Sequence, residues 1–227
     1  MSKKKPPKAS LRRVAFSGAF CVGKDYVAEK AGYEIVSIAE PMYRVCESLF
    51  GSCNKKREDH RRFLQQLGQL GWGCPTAVHD LQTAAIIFMM RTHGASLSGY
   101  WNVAWHEFGT RADFWIGIAL DTIANTDLAD KKVAITNARF KHEIDPLKKA
   151  GFEHYLVACT YEVRSSRNGG TISELVNQDV SEQYAKELIA TMDPKKIIWN
   201  DPGPDVFGRK FLSVDRFVSL VKEETDE

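Results

Sequence analysis

The chain has 227 residues, 44% of them hydrophobic and 26% charged, enough for one α/β core with an inserted lobe. Its formal net charge of +2 gives no whole-protein electrostatic case for nucleic acid or a membrane surface. Five cysteines (Cys21, Cys46, Cys53, Cys74, Cys159) form no C-x-x-C pair, and their odd number resists a disulfide framework, so reduced cytoplasmic thiols are expected.

In chain order, Lys3, Lys4, Lys5, Lys8, Arg12 and Arg13 crowd the start beside Pro6 and Pro7. Residues 1–12 read as a solvated basic tail, without the apolar stretch of a secretory signal, and no later run reaches membrane-spanning length. A strand is expected over Arg13 to Ser17, followed by GAFCVGKD from Gly18 to Asp25 and then a helix. This is the G-x-x-x-x-G-K spacing of a phosphate-binding P-loop. Gly18 and Gly23 permit backbone conformations that turn the N–H groups of Ala19, Phe20, Cys21 and Val22 toward an anion. Lys24 would reach the β- and γ-phosphates as a mobile point charge. Asp25 stands where Ser or Thr commonly ligates Mg²⁺, and Tyr26 follows it. Two glycines and a lysine at this spacing also arise by chance.

A short strand is expected over Glu34 to Ile38. Ile38, Met42, Val45, Cys46, Leu49 and Phe50 then recur at helical spacing, with Pro41 suited to the first turn and Gly51 to the end. The charged stretch from Lys55 to Arg62 leads into an amphipathic segment with Phe63, Leu64 and Leu67. From Trp72 to Phe108 an apolar helical pattern among glycines and tryptophans reads as a helical insertion. Asp113 to Ala124 reads as a helix burying Phe114, Trp115, Ile118 and Ile123. Strands are expected at Val133 to Thr136, Phe152 to Cys159 and Ile197 to Trp199. Arg164 and Arg167 precede Asn168, Gly169 and Gly170 on what reads as a polar loop. Ser181 and Glu182 are expected to begin the next helix, with Ser181 as its cap, and Ser213 caps a closing helix with Val214, Phe217, Val218 and Val221 on one stripe. Alternating strands and helices imply a parallel sheet covered on both faces. The histidines show no metal-ligand spacing with the cysteines, so no zinc site is expected.

GAFCVGKD, IAEPMYRVCESLFG, the pair FLQQLG and FGTRADFW, ITNARFKHE, DVSE and IIWND occur in that order between about residues 14 and 201. In this set the chain resembles the deoxynucleoside monophosphate kinases of bacteriophages, P-loop proteins related in architecture to adenylate kinase. The resemblance implies an α/β P-loop NTPase with three layers and a central parallel sheet. One kinase domain would span 13–227, with a helical acceptor-binding insertion at about 55–110 and a lid at about 160–180. It implies ATP-dependent phosphorylation of deoxynucleoside 5′-monophosphates to diphosphates with Mg²⁺, in the cytoplasm, the host's if the chain is phage-encoded. The expected partners are ATP and the monophosphate, with a homodimer allowed and neither a membrane nor a specific nucleic acid involved.

Such chemistry needs cationic forks for phosphate oxygens. Arg139, just past the strand Val133 to Thr136, would lie at the ligand-binding edge of the sheet. The plainer alternative is a helical-spacing pair with Glu143. Arg111 matches the monophosphate-binding segment beside Trp115, or is an exposed turn arginine. Arg164 and Arg167 would be the lid arginines on the donor phosphates, or belong to an ordinary solvated connection. Glu40, Tyr43 and Arg44 match the edge of the monophosphate site, where a ring can stack on a base, the plainer alternative being that Tyr43 is part-buried packing on its helix. Relatives commonly have Thr where Tyr26 stands and Asp where Asn137 stands, so direct metal ligation from these positions is not expected; Asp25 would hold Mg²⁺ through water, or instead orient Lys24. Two other readings remain: a P-loop kinase of another small phosphorylated acceptor, such as phosphomevalonate, and a non-catalytic nucleotide-binding module.

Overall fold

The computed structural model describes residues 11–54, 57, 60, 63–64, 114–172, 180–201 and 210–224. The chain divides into two compact units, residues 1–36 with 123–227, and residues 37–122.

The first unit is built on a six-stranded parallel sheet. Its strands are β1 (Arg13–Ser17), β2 (Glu34–Val36), β3 (Val133–Ile135), β4 (Glu153–Ala158), β5 (Ile197–Trp199) and β6 (Leu212–Ser213), in spatial order β2-β3-β1-β4-β5-β6. β1 is central, pairing Val14 with Ala134 on one side and Ala15 with His154 on the other. Val14 to Ser17 are all buried, as a parallel strand covered on both faces requires.

The helices of this unit are α1 (Lys24–Lys30) and, after α2 (Glu40–Phe50) and α3 (Phe114–Ala124), α4 (Lys141–Lys149), α5 (Tyr161–Arg167), α6 (Val180–Thr191) and α7 (Val214–Glu223). The connection from β1 to β2 runs one way across the sheet, whereas those from β3 to β4 and β4 to β5 run the other way. Right-handed crossovers therefore put α1 on one face and α4 and α6 on the opposite one. The packing agrees. Val14, Phe16, Tyr155 and Val157 meet Val27, Ala28 and Ala31 of α1 and Val214, Phe217 and Val221 of α7, while Leu156, Ala158 and Ile197 meet Leu188 and Ile189 of α6. Phe217 is the hub, with edge-on contacts to Phe16 at 5.6 Å and Tyr155 at 5.0 Å between ring centres. On the α6 face the Ser17 hydroxyl and His154 Nε2 are 2.7 Å apart. Burial, then the charges of Lys148 and Lys196, push the His154 pKa down to about 4.

The second unit contains α2 (Glu40–Phe50), with Pro41 in its first turn and Gly51 closing it at φ 72°. Most of α3 (Phe114–Ala124) belongs to it too. Trp115, Ile116, Ala119 and Ile123 are the buried residues of α3, so its inner stripe runs through Ile116 and Ala119, with Ile118 only half-buried. The expected insertion from Trp72 to Phe108 lies outside the described residues.

Several expectations differ from the structure; the strand expected over Phe152 to Cys159 is Glu153–Ala158, one residue shorter at each end. The second strand stops at Val36 and the third at Ile135, two residues and one residue earlier than expected, because only those stretches pair with the ladder. The segment read as a polar loop with Arg164 and Arg167 is helix α5. Thr160 caps it, its hydroxyl accepting from the Val163 N–H at 3.4 Å, and the loop begins only after Asn168. Ser181 lies inside α6 and does not precede it. No helix among the described residues is long and apolar enough to cross a membrane.

Candidate functional site

β1 and β4 are neighbours whose outgoing connections leave in opposite directions, the arrangement that opens a crevice at the carboxyl edge of a parallel sheet. The loop Gly18–Gly23 emerges at that edge from β1. Its backbone is left-handed at Gly18 (φ 137°), Cys21 (φ 61°) and Gly23 (φ 84°). Both glycines answer a steric demand as well. A Cβ on Gly18 would lie 2.2 Å from the Val157 carbonyl oxygen of β4, and one on Gly23 would lie 2.4 Å from Asn200 Nδ2.

The polar groups of the loop divide sharply. The Lys24 ammonium donates to the carbonyls of Gly18 and Ala19, both at 3.0 Å. Arg164 Nε donates to the Phe20 carbonyl at 2.7 Å, and the Val22 carbonyl accepts from Arg167 Nη1 at 2.9 Å and from Asn200 Nδ2 at 2.8 Å. The N–H groups of residues 21–26, in contrast, have no acceptor among the described residues. Phe20 is the exception to that division, since its N–H donates to Glu182 Oε1 at 2.6 Å. Cations and amides therefore occupy the loop's carbonyls, while a run of backbone donors is left for an anion.

The electrostatics carry the same sign. Burial first, then the nearby Arg139 charge, push the Lys24 pKa down to about 8, with Asp25 and Glu182 opposing. A lysine held this way lacks a full counter-charge, and a bound anion would supply one. Arg139 is exposed just beyond β3. Its expected pairing with Glu143 takes another form: the Glu143 carboxylate accepts from the backbone N–H groups of Arg139 at 2.6 Å and Phe140 at 3.0 Å, closing the first turn of α4. Burial of Glu143 raises its pKa against those two bonds. The guanidinium itself has no ion pair among the described residues, so its charge is left to act on the Lys24 surroundings.

Arg164 and Arg167 are fixed to the loop. Beyond its bond to Phe20, Arg164 pairs with Glu182 at 2.5 Å, and Arg167 also donates to the Asn200 carbonyl at 2.9 Å. Glu182 and Asn200 carried no assigned role in the sequence. The resemblance motifs DVSE and IIWND contain them, but only the fold brings them to Phe20 and Val22. A cavity of about 40 Å³ behind the loop, beside Ala19, Val22, Arg164 and Glu182, has room for water and not for a nucleotide.

Tyr26 is half exposed, its ring 5.7 Å from the Lys30 ammonium one turn on, so it leans along α1 and not over the loop. Asp25 is exposed at the head of the same helix. No group of three or more His, Cys, Asp or Glu side chains suited to a metal occurs among the described residues. In the second unit Glu40 and Arg44 pair with each other on α2 at 3.1 Å, Tyr43 is half-buried on the same helix, and Trp115 is buried in α3. Arg111 and residues 173–179 of the expected lid lie outside the described residues.

No protein-family model and no curated protein matches the chain.

Proposed function

We propose that this chain is a P-loop kinase that transfers the γ-phosphoryl group of ATP to a deoxynucleoside 5′-monophosphate, yielding ADP and the deoxynucleoside diphosphate. The observation that carries the reading is the division of polar groups at Gly18–Gly23. Lys24, Arg164, Arg167 and Asn200 each donate to a loop carbonyl, and the N–H groups of residues 21–26 find no acceptor among the described residues. A run of backbone donors with a lysine ammonium above it is a polyphosphate cradle. The ordered motifs that resemble the phage kinases supply the reaction and the acceptor.

An oxygen of the acceptor phosphate attacks the γ-phosphorus as the bond to the β–γ bridging oxygen breaks, and ADP departs with that oxygen. The protein's share of this reaction is positioning and charge. Lys24 exchanges the Gly18 and Ala19 carbonyls for β- and γ-phosphate oxygens, which returns its ammonium to full ionisation. Arg139 offers its planar fork to the transferring group from the neighbouring strand end. Arg164, Arg167 and Asn200 keep the loop in its cradle form. Asp25 as the sole carboxylate at the head of α1, with Tyr26 leaning away, does not make a metal cage. Mg²⁺ is expected to travel with the triphosphate, retaining most of its waters.

The test is formation of diphosphate from ATP and each deoxynucleoside monophosphate in turn, with phosphomevalonate as a competing acceptor. Turnover on one or more deoxynucleotides supports the reading. Turnover on phosphomevalonate alone moves the chain to another class of acceptor. Tight ATP binding without any transfer makes it a nucleotide-binding module, the reading that the lean of Tyr26 and the sparse metal donors favour.

A further inference from the structure

We propose that Glu182 is a positioning residue that, through Arg164, holds the Phe20 peptide and thereby sets the loop in its anion-receiving form. The inference rests on the phosphate-cradle reading of that loop and assigns a role to a carboxylate outside it. Glu182 Oε1 accepts the Phe20 N–H at 2.6 Å, Glu182 Oε2 accepts Arg164 Nη2 at 2.5 Å, and Arg164 Nε donates to the Phe20 carbonyl at 2.7 Å. The three groups form a closed ring that satisfies both polar groups of one peptide residue with one ion pair. Arg164 sits on α5 and Glu182 on α6, so the ring ties two helices to the loop.

Two features separate this from an ordinary stabilising pair. Glu182 is 2% exposed and Arg164 8% exposed. Desolvation at such depth offsets much of the Coulomb attraction, so the pair is a poor device for stability alone. The residue after the ring, Cys21, holds φ 61°, a conformation that a side-chain-bearing residue keeps only when its surroundings impose it. The ring pins the peptide immediately before that turn, and the N–H groups without acceptors begin immediately after it.

The sign of the effect makes the test decisive. A carboxylate beside an anion site repels the anion, so by charge alone Glu182→Gln strengthens binding. If Glu182 positions the loop, the same substitution weakens it, because the amide has one oxygen where the carboxylate uses two, and its NH2 would face either the Phe20 N–H or Arg164. Glu182→Asp keeps the charge and shortens the reach by about 1.5 Å, which breaks one arm of the ring. We expect both variants to bind inorganic tripolyphosphate about tenfold more weakly, or worse, by calorimetry. In the unsubstituted protein, free of ligand, the Phe20 amide should exchange with deuterium slowly while those of residues 21–26 exchange quickly and gain protection when tripolyphosphate is added. Equal or tighter binding by the folded variants, or a Phe20 amide exchanging as fast as its neighbours, overturns the positioning role and leaves the cradle standing. Failure of the unsubstituted protein to bind tripolyphosphate or ATP overturns the cradle, and the inference with it. Should a variant not fold, the exchange pattern of the unsubstituted protein decides.

Discussion

At the scale of single residues, Lys24 and Arg139 make distinct predictions because one is half-buried against the loop carbonyls and the other exposed. Lys24 in the free protein ionises with a pKa lowered to about 8 by burial and by Arg139. A bound polyphosphate favours the ammonium, so above that pH the site must take up a proton to bind. Affinity is full below about pH 8 and falls as pH rises through it, by about tenfold per unit. The kcat/KM for ATP, which reports the free enzyme, should show this alkaline limb, and a profile flat to about pH 9.5 would contradict it. Arg139 carries no structural load that an ammonium could not, since Glu143 bonds to its backbone N–H and not to its side chain. Arg139→Lys should therefore leave the melting temperature near that of the unsubstituted chain while turnover drops about 10³-fold, a point charge being unable to replace the fork. Near-normal turnover in the lysine variant would move the acceptor contact elsewhere, with Arg111 the next candidate.

At the scale of elements, the junction of β1, the loop and α1 is held by close backbone contact as much as by hydrogen bonds. Gly18→Ala would press a methyl against the Val157 carbonyl of β4 at 2.2 Å, in a backbone region that disfavours any side chain. Denaturant unfolding should register a loss of about 3 kcal/mol. Gly51→Ala, also at positive φ but with nothing within 4 Å of the added carbon, should cost only about 1 kcal/mol. Equal costs would mean the contact with β4 relaxes freely. The junction was legible in the sequence because three short-range signals coincide there: an apolar run, two spaced glycines and a following helix. β5 at Ile197–Trp199 and the Ser213 cap, whose hydroxyl accepts from the Arg216 N–H at 3.2 Å, were legible for the same local reason. α5 was not, because Tyr161–Arg167 has no apolar stripe and is held by a capping threonine and by arginines that reach the loop. Glu182 and Asn200 escaped as functional residues because their partners lie 162 and 178 positions away in the chain. A glutamate in a first helical turn has an adequate local explanation, and only the fold supplies the other one.

At the scale of the first unit, the direction of β1 separates Leu11 and the end of α7 from the loop Gly18–Gly23. The Leu11 N–H donates to Glu224 at 2.7 Å, and its carbonyl accepts from the Tyr33 hydroxyl at 2.6 Å, so the chain enters β1 anchored beside the end of α7. From there β1 runs Arg13–Ser17 to the loop, a rise of about 13 Å at roughly 3.3 Å per residue. Deleting Met1 to Lys8 leaves those anchors in place and should leave the kinetic constants for ATP and the monophosphate unchanged; a clear loss of affinity would mean the basic tail reaches the site. The sheet order places the loop after β1, the turn after β3 that leads to Arg139 and the first turn of α5 on the same carboxyl edge, where ligands of open parallel sheets bind. The most direct test is transfer of γ-labelled phosphate from ATP to the four deoxynucleoside monophosphates, followed side by side for the unsubstituted protein and Lys24→Ala. Labelled deoxynucleoside diphosphate from the unsubstituted protein, with a loss of several orders of magnitude in a folded Lys24→Ala, is the predicted result. No labelled diphosphate from the unsubstituted protein, or undiminished transfer by the folded variant, would contradict it.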